Sequence, residues 1–526
     1  MPKGWVYKYK INDNYYVYDV NSNNILSVTE DFYQFIDKID FHDDKFEVRE
    51  EQHIGSNDHK LEKVAQEIIK YNKEKSFFEP NRLQKMIFPF SKKEYALILD
   101  NLLNHVILNV TEDCNFRCEY CKYSGNYLYT RTHNKKYMDS ETAVKAIRFM
   151  LDRSKYIVEN TDERLAIGFY GGEPLLNYKT IRDCVDYVNK EFNYLRDRIH
   201  FSMTTNLSPL NEEIADLLIS NNFSILVSLN GPEYINDMYR KDICEKGTFD
   251  KVMKNLNLIK VMDEAYYKSK VGFSIVITPP YDIRSIVDFF VNSDLVENRV
   301  LLLSDIDRED TTFFDRFDNP KELEDKYYKQ LLELKEEYRD SIIKGVITPR
   351  VKFLSLFFEE KLRDIYRRYL VPIKEEVFPN GICLPGMQKL LVSPEGKFYI
   401  CEKIGYVFPI GDLKGGFDID RIFSIIEEYI RISEPMCVNC WAIRLCKACF
   451  LRAIKGEELS AKRKAENCDI LKGSVASGLK FFCEVMEANP NALDFLKDLK
   501  QKDMVQVAFE FIENYRKQAI GNGFSL

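Results

Sequence analysis

The sequence predicts an α/β protein in which six strand–helix units form a parallel sheet, with a small β-rich unit before it and a cysteine-rich region after it. Three observations predict this. Between residues 101 and 315, strand-like apolar runs alternate with helical patterns, and such alternation favours parallel pairing. The first 100 residues open on two alternating runs around a turn. Ten of the 13 cysteines fall in two groups, three at 114–121 and seven at 383–468.

In residues 1–100, Val6-Tyr-Lys-Tyr-Lys alternates, Asn12-Asp13-Asn14 turns, and Tyr15-Tyr-Val-Tyr-Asp-Val alternates again. Ile25-Leu-Ser-Val adds a third strand, and helical patterns follow at Asp31–Ile39, His59–Tyr71 and Lys92–Leu103. A DNA-reading winged helix would carry a basic recognition helix, which this unit lacks. In residues 101–315 the strands are expected at His105–Val110, Arg164–Tyr170, Ile199–Met203, Phe223–Ser228, Val271–Thr278 and Arg299–Leu303. Between them lie helices such as Ser140–Arg153, where Val144, Ile147, Met150 and Leu151 share a face. Residues 316–380 are charge-rich and helical, with Asn319-Pro320 opening a helix. Residues 381–475 hold the second cysteine group, and 476–526 read as helices.

With 526 residues and 45% hydrophobic content the chain has ample core. A net charge of -8 argues against nucleic acid as a partner. No run of 18 apolar residues and no signal h-region at Met1-Pro-Lys-Gly-Trp points to a cytoplasmic protein with no membrane partner. That compartment keeps thiols reduced, so the grouped cysteines point to metal rather than disulfides. Cys184, Cys244 and Cys483 stand outside both groups and read as small buried hydrophobes.

Cys114-Asn-Phe-Arg-Cys118-Glu-Tyr-Cys121 places three thiolates on one tight loop directly after an apolar strand. A four-iron, four-sulfur cluster normally takes four protein thiolates, so three leave one iron open. Zinc is the other reading of clustered cysteines; its sites usually close with a fourth ligand, and locally only His105 and His133 are near enough in sequence. The Cys-x3-Cys-x2-Cys spacing resembles the signature of the radical S-adenosylmethionine enzymes. Further segments extend the resemblance. Gly171-Gly172-Glu173-Pro174 follows the second strand, Thr204-Thr205-Asn206 ends the third, and Ser228-Leu-Asn230-Gly231 ends the fourth, with Asn230 where the family usually has Asp. Arg240 matches an arginine that pairs with the methionine carboxylate. Tyr120 and Ile277 match apolar neighbours of the adenine, although both also suit plain core packing.

In the second group, Cys383 and Val392-Ser-Pro-Glu-Gly396-Lys-Phe-Tyr-Ile-Cys401 precede Cys437-x2-Cys440-x5-Cys446-x2-Cys449 and Cys468. This resembles the SPASM extension, although the gap between Cys446 and Cys449 is one residue short of the usual pattern. A zinc ribbon also uses paired Cys-x2-Cys. The resemblance implies a partial (β/α)6 TIM-like barrel, an N-terminal winged-helix-like element binding a precursor peptide, a bridging segment and a SPASM domain. It implies S-adenosylmethionine and three [4Fe-4S] clusters: one on Cys114, Cys118 and Cys121, one on Cys437, Cys440, Cys446 and Cys468, and one on Cys383, Cys401 and Cys449 with an open iron. The activity implied is that of sactipeptide and ranthipeptide maturases, which join a cysteine sulfur to a carbon of a ribosomally made peptide through a 5′-deoxyadenosyl radical. The partners implied are a leader-bearing precursor and a one-electron donor such as flavodoxin or ferredoxin. Carbon–carbon crosslinking, epimerisation and formylglycine formation use the same parts, and a zinc-stapled peptide binder is the non-catalytic alternative.

Overall fold

The computed structural model describes residues 5–42, 45–48, 58–293, 295–296, 299–497 and 504–521. Strands β1 (Val6–Ile11), β2 (Asn14–Asp19) and β3 (Asn24–Val28) form an antiparallel sheet in that order. Asn12 takes the positive φ of the first turn, at 50°, which asparagine tolerates better than most residues. Alternation along β2 sends Val17 into a small core with Phe32, Leu61, Ile68 and Phe78. Its neighbours Tyr16 and Tyr18 face the main body instead. A short antiparallel pair, β4 (Ile39–His42) and β5 (Lys45–Val48), precedes the helix Asp58–Lys75.

The helix Lys92–Asn101, counted with the first unit on sequence, packs on the main body. Tyr95, Ile98 and Leu99 are buried in its core. The Tyr95 hydroxyl donates to the Pro385 carbonyl at 2.8 Å.

β6 (Lys85–Met86) leads into the central sheet. Strands β7 (His105–Thr111), β8 (Leu165–Gly171), β9 (Ile199–Thr205), β10 (Ser224–Ser228), β11 (Val271–Ile277) and β12 (Leu301–Asp305) are parallel neighbours in sequence order. These are the six strands read from the sequence, in an open sheet. β13 (Glu376–Val377) pairs with β6. β14 (Leu390–Val392) then lies parallel to β7, with Leu391 opposite Ile107. β15 (Lys397–Tyr399), β16 (Pro409–Asp412) and β17 (Gly416–Phe417) continue the sheet antiparallel. The hairpin between Cys383 and Cys401 thus extends the sheet from the first strand of the parallel set. No helix among the described residues is long and apolar enough to cross a membrane.

Candidate active site

The first cysteine loop leaves the C-terminal end of β7 and is held by the turn that leaves β8. Gly172 N–H donates to the Thr111 carbonyl and Glu173 N–H to the Asp113 carbonyl, both at 2.9 Å. A Cβ on Gly171, whose φ is +147°, would fall on the Thr111 oxygen, and one on Gly172 would fall on the Asp113 oxygen. The Gly-Gly pair is therefore the condition for two backbones to meet. Glu173 is turned inward. Its carboxylate accepts from Thr205 Oγ1 at 2.7 Å, Asn206 N at 2.6 Å and Leu175 N at 3.0 Å. Burial pushes its pKa up to about 7 against those three donors. Glu173 ties β8 to β9 and does not line the cavity above it.

That cavity, of about 210 Å³, lies at the strand ends. Cys114, Cys118, Cys121, Gly171, Gly172, Thr205, Ser228 and Arg240 all reach its wall, as does Tyr120. The Tyr120 hydroxyl accepts from Arg240 Nη1 and from Asn230 Nδ2, each at 2.9 Å. Asn230 Oδ1 accepts from Val276 N at 3.1 Å. This position thus uses a donor and an acceptor at once, which an ionised Asp could not supply. Ile277 departs from the sequence reading: it is fully buried in the core, and its neighbour Val276 lines the cavity. Strand alternation accounts for the difference, because a one-residue shift exchanges faces. Sequence reasoning also passed over Phe116, Tyr170 and Ser274, which complete the wall.

The surroundings suit an iron–sulfur cluster. Phe116 N and Tyr123 N donate to the sulfurs of Cys114 and Cys121, each at 3.4 Å, and N–H···S bonds of this kind tune such clusters. Burial raises all three thiols, Cys121 to about 11, while the Arg240 guanidinium pulls Cys118 and Cys121 back down. Arg240 itself is held charged: burial would lower it, but Cys118 and Tyr120 outweigh that. Thiols that give up their protons to iron would find a buried positive charge waiting.

In the second group, Cys437, Cys440, Cys446 and Cys468 line one cavity of about 50 Å³. Lys464 lines it too and is only 4% exposed. Its ammonium donates to the Tyr429 hydroxyl at 2.9 Å. Cys383 senses Cys401 and Cys449 electrostatically, and burial with those two thiols raises it to about 12. Cys483 lies elsewhere, against the Tyr9 hydroxyl at 3.3 Å. Cys184 and Cys483 are buried as expected, but Cys244 is exposed, in a turn where its N–H donates to Asp242 Oδ1. No three His, Cys, Asp or Glu side chains among the described residues are gathered so as to hold a single metal ion.

A further cavity, of about 260 Å³, adjoins the first, and Tyr123 lines both. Its walls come from 122–131 after the cysteine loop, 307–310 after β12, 402–407 after Cys401 and 451–457 after Cys449. It therefore opens between the strand ends and the second cysteine group.

Residues 108–290 match the family described as the Radical SAM superfamily. An uncharacterized protein of Methanocaldococcus jannaschii is 34% identical over 176 residues, which cover 34% of this chain and about half (54%) of the relative. A cysteine-type anaerobic sulfatase-maturating enzyme of Clostridium novyi is 25% identical over 365 residues, 66% of this chain and 87% of the relative. The radical SAM cyclopropyl synthase TigE of Paramaledivibacter caminithermalis is 23% identical over 361 residues, 66% of this chain and 68% of the relative. Among solved structures, native anSMEcpe with bound AdoMet and Cp18Cys peptide superposes with a TM-score of 0.51 at 20% identity, covering 76% of this chain and 99% of that one. That likeness is one of fold.

Proposed function

We propose, with residues 108–290 as a radical SAM domain, that this protein modifies a ribosomally made precursor peptide by joining a cysteine sulfur to a carbon of another residue. The observation that carries the reading is the junction at Tyr123. A cavity lined by three thiols and a Gly-Gly turn shares Tyr123 with one walled by the residues that follow Cys401 and Cys449. A substrate lying there would meet both cysteine regions. The similarity to named maturases supports a peptide or protein substrate.

In this reading Cys114, Cys118 and Cys121 hold the cluster that binds S-adenosylmethionine. Cys437, Cys440, Cys446 and Cys468 hold a second, and Cys383, Cys401 and Cys449 a third with one position free for a substrate thiol. When bound, S-adenosylmethionine and its cluster supply a 5′-deoxyadenosyl radical that removes a hydrogen atom from an unactivated carbon. The chain's part is placement. Arg240 supplies the fork for the methionine carboxylate, with Thr205 and Ser228 as polar neighbours in the same wall. The Gly171-Gly172 backbone gives the ammonium close approach, while Tyr120 and Val276 shield the adenosyl group from water. Electrons come from a small donor such as flavodoxin or ferredoxin. The edge strand β3 is the proposed docking place for an extended leader.

The test is anaerobic reconstitution with iron and sulfide, then incubation with S-adenosylmethionine and short cysteine-rich peptides encoded beside the protein. Expected are 5′-deoxyadenosine, a peptide lighter by two hydrogens per crosslink, and a cysteine that no longer alkylates. The same mass loss with every cysteine still alkylating would establish carbon–carbon bond formation instead, a second reading favoured by the similarity to the cyclopropyl synthase. An unchanged mass with 5′-deoxyadenosine released would indicate epimerisation, and a cysteine that loses its sulfur and two hydrogens and gains one oxygen would indicate formylglycine.

A further inference from the structure

Arg131 lines the larger cavity beside Tyr123, the residue shared with the smaller one, and its side chain is only half used. The guanidinium carbon lies 3.8 Å from the centre of the Tyr123 ring and 5.6 Å from that of Tyr406. Nε lies 3.8 Å from Glu112 Oε1, and Glu112 is itself held by Asn134. Stacking and this ion pair fix the plane of the group. Nη1 and Nη2 are nevertheless buried without a hydrogen-bond partner. An orphaned donor pair of this kind is costly unless a ligand meets it.

The charges around the larger cavity sharpen the point. Asp307 is paired with Lys122 at 2.9 Å, Glu402 with Lys389 at 3.1 Å, and Glu309 and Asp310 with Arg463. Among the described residues lining it, Lys403 and Arg452 make no ion pair, and the exposed Glu457 is the one carboxylate left over. The cations on this wall that no carboxylate neutralises are thus Lys403 and Arg452, against Glu457 and the two carboxylates that share Arg463. Two parallel N–H donors in a fixed plane match the two oxygens of a carboxylate.

We infer that Arg131 clamps a carboxylate of the peptide, an Asp or Glu side chain at a fixed offset from the modified cysteine. The clamp rests on the proposed peptide-modifying role of this site. It positions substrate, because the stacked guanidinium cannot move without losing Tyr123, so a side chain gripped there is held beside the residue that lines both cavities.

The reconstituted protein, with saturating S-adenosylmethionine, is used to select octapeptides from a library with one fixed cysteine and all other positions random. Enrichment of Asp or Glu at one offset is expected. The selected peptide and its Glu→Gln (or Asp→Asn) counterpart are then titrated against wild type, Arg131→Gln and Arg131→Lys. Loss of the peptide carboxylate should weaken binding about tenfold to wild type, less to Arg131→Lys, and not at all to Arg131→Gln. Iron content equal to wild type shows that the variants fold. No acidic enrichment, or an equal penalty in Arg131→Gln, would overturn the clamp. So would weaker S-adenosylmethionine binding in Arg131→Gln with the peptide preference intact, since the carboxylate would then be the cofactor's. Release of 5′-deoxyadenosine, followed in the wild-type preparation, reports on the parent reading separately: if it is absent, that reading fails whatever the library shows.

Discussion

The cysteines at 114–121 come from one loop after one strand, whereas the seven at 383–468 are gathered from around a hairpin, the end of a helix, a loop and the start of a second long helix. The first set shares its cavity with a Gly-Gly turn and Arg240, on the ends of parallel strands. Four of the second set line one small cavity together with a buried lysine. A loop presenting three thiols beside empty space is built to admit a ligand, and four thiols around a small pocket are built to keep what they hold. In the proposed function, reaction and relay would then belong to different regions.

The largest effect that would break this division comes from the first loop. Replacing Cys114, Cys118 and Cys121 together by Ala should remove all release of 5′-deoxyadenosine, with iron falling from about twelve to about eight atoms per chain. Release at the wild-type rate would place the reaction elsewhere.

Lys464 sharpens the other side. It has no carboxylate partner among the described residues, and in the proposed function the charge that balances it would be that of the thiolates in the pocket it lines. Lys464→Met should make the reduction potential of the cluster on Cys437, Cys440, Cys446 and Cys468 more negative, on the order of 100 mV. The potential of the first cluster should stay where it was. A redox titration followed by electron paramagnetic resonance distinguishes the two, and an unmoved potential would deny Lys464 this role.

A smaller effect separates the regions by pH. Glu173 braces the first loop, and burial raises it from 4.5 to about 7. Between those values the unfolded chain has lost this proton and the folded chain retains it. The contribution of this site to stability therefore declines as pH rises from about 4.5 to 7 and is level on either side. Glu173→Gln should flatten that segment of a thermal-stability profile, while lowering stability throughout because one donor now faces an amide N–H₂. An unchanged slope would mean that Glu173 is ionised throughout this range.

The same comparison explains what the sequence could tell. The first loop and the six strands were legible because their signals are local: spacing within eight residues, and alternation within each run. The grouping of Cys437, Cys440, Cys446 and Cys468 came only through resemblance, since the chain makes a hairpin and two helices before the set is complete. Ile277 was matched to an adenine neighbour through resemblance; of the two readings it offered, core packing holds, because on a strand a one-residue shift exchanges faces and Val276 takes the cavity side. Arg131 and Tyr406 could not be paired from sequence, since 274 positions separate them and their meeting depends on β14 joining β7. Helix Lys92–Asn101 read as part of the first unit because an apolar stripe does not name its partner.

The smallest predicted effect concerns the thiol that belongs to neither region. Cys483 is 5% exposed and its sulfur lies 3.3 Å from the Tyr9 hydroxyl, on the face where the N-terminal sheet meets the helix Ala461–Ala488. Burial raises this thiol to about 11, and the electrostatic neighbours it feels are Tyr9, Arg368 and Glu484, with no cysteine of either group among them. A ligand filling the free position near Cys383 would have to feel Cys383, Cys401 or Cys449. Cys483→Ala should therefore leave the iron count unchanged and cost about 1–2 kcal/mol of stability, from one lost sulfur contact and an unpaired Tyr9 hydroxyl. Chemical denaturation measures the cost and iron analysis the count. Loss of about four irons would instead make Cys483 a ligand, close the position proposed for the substrate thiol, and erase the distinction between a cluster that keeps and one that admits.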